Sequence, residues 1–168
     1  MAKNVVEKQF EIEYDKVMEL YADMVYRIVF TITGNAEDAK DAFQETFLRL
    51  VRNKEKIRSE EHLKAWLIRV ASNCAKTIVT SPWNKRTQGL ETVMEQPAQE
   101  NSESGVLQEV KQLAPKYSLP IYLFYFEGYS VKEIAKVLKK NENSIKTLLS
   151  RGRKQLQINL EKEGYHFG

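Results

Sequence analysis

Between Lys132 and Lys154 the chain carries eight lysines and arginines against two acids, Glu133 and Glu142. Residues 91–105, upstream, hold four glutamates and no Lys or Arg. A basic segment behind an acidic spacer is the electrostatic footprint of a polyanion-binding module. A solvated helix face can give the same cluster, so the pattern inside the segment decides. Ser130-Val-Lys-Glu133 is a capping box, in which the Ser130 hydroxyl meets the Glu133 amide and the Glu133 side chain reaches back. A short helix follows, with Val131, Ile134, Ala135 and Leu138 on its buried side. It ends near Lys139-Lys140-Asn141, where Asn141 is expected to take the left-handed dihedrals that Gly often supplies in such turns. A second helix starts around Asn143, and two helices joined this tightly fit a helix-turn-helix. At 100° per residue, Ile145, Leu148, Leu149, Gly152 and Leu156 fall within an arc of about 100°. Asn143, Ser144, Lys146, Thr147, Ser150, Arg151, Arg153 and Lys154 lie around it. One face packs, and the other offers short polar groups for base edges and cations for phosphates and guanines.

Elsewhere the reactive residue types are sparse. His62, His166 and Cys74 form no nucleophile or metal-ligand spacing, and no Gly-rich phosphate loop is present. Neither an enzyme nor a cofactor or metal is expected. Cys74 is alone, which excludes an internal disulfide. No run of about 18 apolar residues exists, so no membrane insertion is expected. MAKNVVEKQF has no stretch resembling a signal peptide, and the expected location is the cytoplasm.

The elements that position these residues read as helices. Seven Gly and four Pro in 168 residues are few for an all-β chain, and Lys, Glu, Leu and Ala are common. A first helix carries Tyr14, Val17, Met18, Tyr21, Met24, Val25, Ile28, Val29 and Ile32 at three- and four-residue spacing and ends at Gly34. Asn35 caps a second, with Glu37 and Asp38 in its first turn and Ala39, Phe43, Phe47, Leu50 and Val51 on one side. Ser59 starts a third, striped by Leu63, Trp66, Leu67, Val70, Ala71, Cys74 and Ile78. Cys74 and Trp66 sit in that stripe and read as core. The pattern then fails to about Ser104 and resumes at Val106, Leu107, Val110 and Leu113. The expected fold is all-α: a three- to four-helix domain over 8–80, a flexible acidic linker over 81–104, and a helix-turn-helix domain over 105–163.

Four segments in this order resemble extracytoplasmic-function sigma factors of the sigma-70 family. Ala36-Glu-Asp-Ala39 with Phe43-Gln-Glu-Thr-Phe-Leu-Arg49 is similar to their region 2.2, and Ala65-Trp-Leu-Ile-Arg-Val-Ala-Ser-Asn73 to regions 2.3 and 2.4. Tyr125-Phe-Glu-Gly-Tyr-Ser-Val-Lys-Glu-Ile-Ala135 and Ser150-Arg-Gly-Arg-Lys-Gln-Leu156 are similar to region 4. The resemblance implies a promoter-reading subunit of RNA polymerase. The second helix would dock on the β′ coiled coil through Asp38, Asp41, Gln44, Glu45 and Arg49. The loop Arg58–His62, with Ser59, would hold a flipped base of the −10 element, Asn73 would help form its pocket, and Arg69 and Lys76 would steer the phosphates. The −35 element would be read by Ser144, Lys146, Thr147, Ser150, Arg151 and Arg153. The implied partners are core polymerase (β′ and β subunits), promoter DNA and an anti-sigma factor. A stand-alone helix-turn-helix regulator, binding duplex DNA without polymerase, is the alternative, and a helical adaptor also stays open.

Overall fold

A computed structural model describes residues 10–81 and 105–164. The first helix, α1 (Tyr14–Thr33), buries Val17, Met24, Val25, Ile28, Val29 and Ile32, whereas Met18 turns toward solvent. Gly34 closes it at φ 74, a left-handed conformation that costs glycine nothing, and its N–H donates to the Phe30 carbonyl. Asn35 Oδ1 then accepts from the Asp38 amide at 2.8 Å and starts α2 (Ala36–Asn53).

The buried row of α2 is Ala39, Ala42, Thr46 and Leu50, with Phe43 and Phe47 half-buried beside it. Val51, expected on that side, is exposed. It lies about 100° beyond Leu50, outside the arc that faces the core. The small residues Ala39 and Ala42 let α2 approach its neighbours closely. A 3-10 turn, Lys54–Lys56, leads to the buried Ile57. Ser59 then caps α3 (Glu60–Thr80) by accepting from the His62 amide at 3.1 Å. Leu63, Leu67, Ala71 and Cys74 are buried as expected, and Trp66, Val70 and Ile78 are half-buried against them. Ile68, Ser72 and Ala75 are buried as well, on a part of α3 outside the expected stripe.

The second half contains α4 (Gly105–Gln112), α5 (Pro115–Tyr125), α6 (Val131–Leu138) and α7 (Glu142–Lys162). Pro115 occupies the first turn of α5, where a missing N–H costs nothing. Every residue from Ser118 to Leu123 is buried, so α5 is enclosed on all sides. It packs on α1, α4, α6 and α7. Further contacts join α1 to α4 and α3 to α6, and the buried side chains form one continuous cluster through both halves. Apart from Ser81, the expected linker lies outside the described residues. Among the described residues no helix is long and apolar enough to cross a membrane.

Candidate nucleic-acid and polymerase interfaces

The helix-turn-helix forms where the sequence marks it, through the Ser130 half of the expected capping box. The Glu133 amide donates to Ser130 Oγ at 3.1 Å, and α6 follows. The turn differs from expectation. Lys139, not Asn141, takes the left-handed conformation at φ 54, and the next amide, Lys140 N–H, donates to the Ala135 carbonyl at 2.9 Å. Asn141 is extended, and its Oδ1 accepts from the Ser144 amide at 2.7 Å. An Asn side chain is worth about 1 kcal/mol as an N-cap, close to what a left-handed non-glycine costs, so the turn places Asn141 where it satisfies an orphan donor.

Helix α7 turns Ile145, Leu149 and Gly152 inward, with Leu148 and Leu156 half-buried. Gly152 is a contact point: a Cβ there would lie 2.5 Å from Ile121 Cδ1 and 3.2 Å from Tyr117 Cβ. Lys146, Thr147, Ser150 and Arg151 are exposed together, and Lys154 stands in the middle of the same surface. Thr147 Oγ1 donates to the Asn143 carbonyl. Ser144 is half-buried in the first turn. Arg153 is exposed at the margin, where Nη1 donates to the Tyr125 hydroxyl at 3.2 Å.

The expected −10 residues gather on α3. At 100° per residue, His62, Arg69, Asn73 and Lys76 lie within an arc of about 60°, and so form one row along the helix. Arg58 and Ser59 stand exposed just before it. The Arg58 amide donates to His62 Nδ1 at 3.3 Å, closing the loop on itself. Asn73 is exposed, whereas Arg69 is half-buried. Lys76 is half-buried too, and its ammonium is held below the usual lysine range, first by burial and then by repulsion from Lys140. Glu60, next to the loop, accepts from the Tyr21 hydroxyl at 3.2 Å. Burial, with this bond second, pushes Tyr21 up to about 12.

The outward face of α2 is a third surface. Asp41 and Gln44 are exposed, and Glu45 is bound to Arg49 Nε at 2.9 Å, with Arg52 at 3.9 Å. Asp38 is engaged at the helix start by Asn35 Nδ2. Sequence reasoning missed Leu48, which is 51% exposed and lies at the centre of this face, between Asp41, Gln44, Glu45 and Arg52. Val51 extends it and is 52% exposed. An apolar centre rimmed by polar and charged groups is the usual anatomy of a protein-protein interface. The signal was available: Leu48 lies opposite Ala39 on the helical wheel.

Two family models match the chain, Sigma-70 region 2 over residues 17–83 and Sigma-70, region 4 over residues 105–156. The RNA polymerase sigma factor SigV of Bacillus subtilis is 28% identical over 141 residues, covering 82% of this chain and 85% of SigV. The ECF RNA polymerase sigma factor SigE of Mycolicibacterium smegmatis is 27% identical over 160 residues, covering 89% of this chain and 62% of SigE. Among solved structures, the sigma factor RpoE of Bartonella quintana, crystallised with the anti-sigma factor NepR, superposes with a TM-score of 0.69 at 20% identity. That match covers 88% of this chain and 96% of RpoE.

Proposed function

Because the chain belongs to the extracytoplasmic-function group of the sigma-70 family, we propose that it directs core RNA polymerase to promoters through three separate surfaces. The observation that carries this reading is the order of the two sigma regions along one chain, each ending in a surface suited to its task. In the unit over 8–80, the outward face of α2 holds the polymerase β′ subunit. Asp41, Gln44 and Glu45 supply polar contacts around the apolar Leu48. The row His62, Arg69, Asn73 and Lys76, with the loop from Arg58, takes single-stranded −10 DNA. Asn73 is free to bond a flipped base edge, and the cations are placed for phosphates.

In the unit over 105–163, α7 enters the major groove at −35. Lys146 and Arg151 suit guanine or phosphate contacts, and Ser150 and Thr147 suit shorter bonds to base edges. Arg153 serves from the margin of that surface. The chain acts by binding and not by catalysis, in the cytoplasm where polymerase works. An anti-sigma protein is a fitting regulator, as the RpoE–NepR pair illustrates for a chain of the same fold.

The test is in vitro transcription with purified core polymerase on genomic fragments. New discrete start sites that require the protein are expected. Lys146→Ala with Arg151→Ala abolishes those starts while leaving polymerase binding intact, and Gln44→Ala with Glu45→Ala weakens polymerase binding. Tight binding to duplex DNA without polymerase, and no new starts, would instead support a stand-alone regulator.

A further inference from the structure

The two residues ahead of α3, Arg58 and Ser59, stand between fixed points. Ile57 is buried before them. Glu60, after them, is tied to α1, where the Tyr21 hydroxyl donates to its Oε1 at 3.2 Å. Two bonds then join the loop to His62, which is half-buried on the first turn of α3. The His62 amide donates to Ser59 Oγ at 3.1 Å, and the Arg58 amide donates to His62 Nδ1 at 3.3 Å. This is the reciprocal pattern of a capping box, in which the third helical residue reaches back to a free backbone N–H and is ordinarily Glu or Gln. In this chain a histidine does the reaching, and it takes the N–H of Arg58, one residue earlier than in the usual box.

Resting on the sigma-factor reading above, we propose that His62 is a positioning residue for −10 recognition. Its neutral imidazole, protonated at Nε2 and accepting at Nδ1, holds the backbone of Arg58 and Ser59 in the shape that receives an unstacked base. A neutral imidazole has one acceptor and one donor nitrogen, so a bond accepted at Nδ1 fixes the proton on Nε2. Nδ1 is thereby engaged by the loop and is not offered to DNA. The exposed side chains of Arg58 and Asn73 are left to meet the nucleotide.

The residue type fits this task. A flipped base is read by a pocket that must already present its donors and acceptors in place. Glu at position 62 would cap the loop equally well, but Glu60 and Glu61 already put two carboxylates in this turn. A third would repel the phosphates of the strand to be captured. Histidine supplies the acceptor without the charge. One hydrogen bond of this kind shifts a local opening equilibrium by about two- to tenfold, enough to set how often the loop is ready.

Two readouts test this. In the free chain, long-range proton–nitrogen magnetic resonance spectra report the imidazole tautomer. The sequence has two histidines, so His166→Asn leaves the His62 signal alone. His62 is expected as the Nε2–H form. Hydrogen exchange at the Arg58 amide is expected to be about two- to tenfold faster in His62→Ala and to return to the parent rate in His62→Asn, whose Oδ1 can stand where Nδ1 stood. With core polymerase, permanganate footprinting reads melting of the −10 element. His62→Ala should lower the melted fraction about two- to tenfold, and His62→Asn should restore it. An Nδ1–H tautomer, or Arg58 exchange unchanged in His62→Ala, overturns the proposal. Melting lost alike in His62→Ala and His62→Asn assigns the imidazole a direct DNA contact and overturns the positioning role, as does melting equal to the parent's in both. Should the parent protein melt no promoter with core polymerase, the −10 role falls together with the sigma-factor reading, while the spectra still decide how the loop is held.

Discussion

Replacing Gly152 with Ala probes how the recognition helix is held. In most exposed helices this change stabilises by about 0.5–1 kcal/mol, because glycine loses more freedom on folding. Here the new methyl would lie 2.5 Å from Ile121 Cδ1, with Tyr117 Cβ at 3.2 Å and Ile121 Cγ1 at 3.3 Å. Ile121 is 1% exposed and has nowhere to retreat, so overpacking costs about 1–3 kcal/mol. The sum is a loss of about 1–2 kcal/mol in urea unfolding followed by circular dichroism. The clash is concentrated on one atom, which Ile121→Val removes at its own cost of about 0.5–1.5 kcal/mol. In that background Gly152→Ala meets contacts of 3.2 Å or longer and becomes neutral or mildly stabilising. The two changes are expected to couple favourably by about 1–2 kcal/mol in a double-mutant cycle. Gly152→Ala as stable as the parent, or additive with Ile121→Val, would refute the view that close approach of α7 to α5 sets the position of the reading surface.

Two further predictions concern the ends and faces of helices. Asn141→Ala and Ser130→Ala each remove an observed cap of the helix-turn-helix, at 2.7 and 3.1 Å, and should each cost about 1 kcal/mol in chemical denaturation, whereas Asn141→Asp retains the cap. Leu48→Ala removes an exposed side chain, so stability should stay within about 0.5 kcal/mol of the parent. Affinity for core polymerase should fall about fivefold or more in a fluorescence titration, the loss expected on truncating a buried interface residue. Equal affinity would place the polymerase contact elsewhere.

What the sequence made legible was what local chemistry decides. Asn35, Ser59 and Ser130 cap where they were expected, because a short polar side chain ahead of an apolar stripe has one good use for its oxygen. Gly34 and the division of α7 into packing and polar faces follow from the same short-range rules. Helix α5 was not legible. Its run from Leu119 to Phe126 is apolar on every side and contains Pro120, so it shows no 3.6-residue stripe, and only the surrounding helices explain it. Val51 was misplaced because an apolar residue beside a stripe looks like part of it, although the angle puts it with Leu48 on the outward side of α2. The turn went to Lys139 instead of Asn141 because two positions competed for one asparagine, and the cap of α7 won.

Ile68, Ser72 and Ala75 on α3 are buried outside the stripe of Leu63, Leu67, Ala71 and Cys74. No local periodicity names what covers them, because α3 packs against α1, α2 and α6 at once, and α6 lies far away in sequence. A stripe read from one helix shows a single buried side, whereas a helix with three neighbours buries more than that. The side of α3 that carries His62, Arg69, Asn73 and Lys76 is therefore bounded by packing that only the assembled fold reveals.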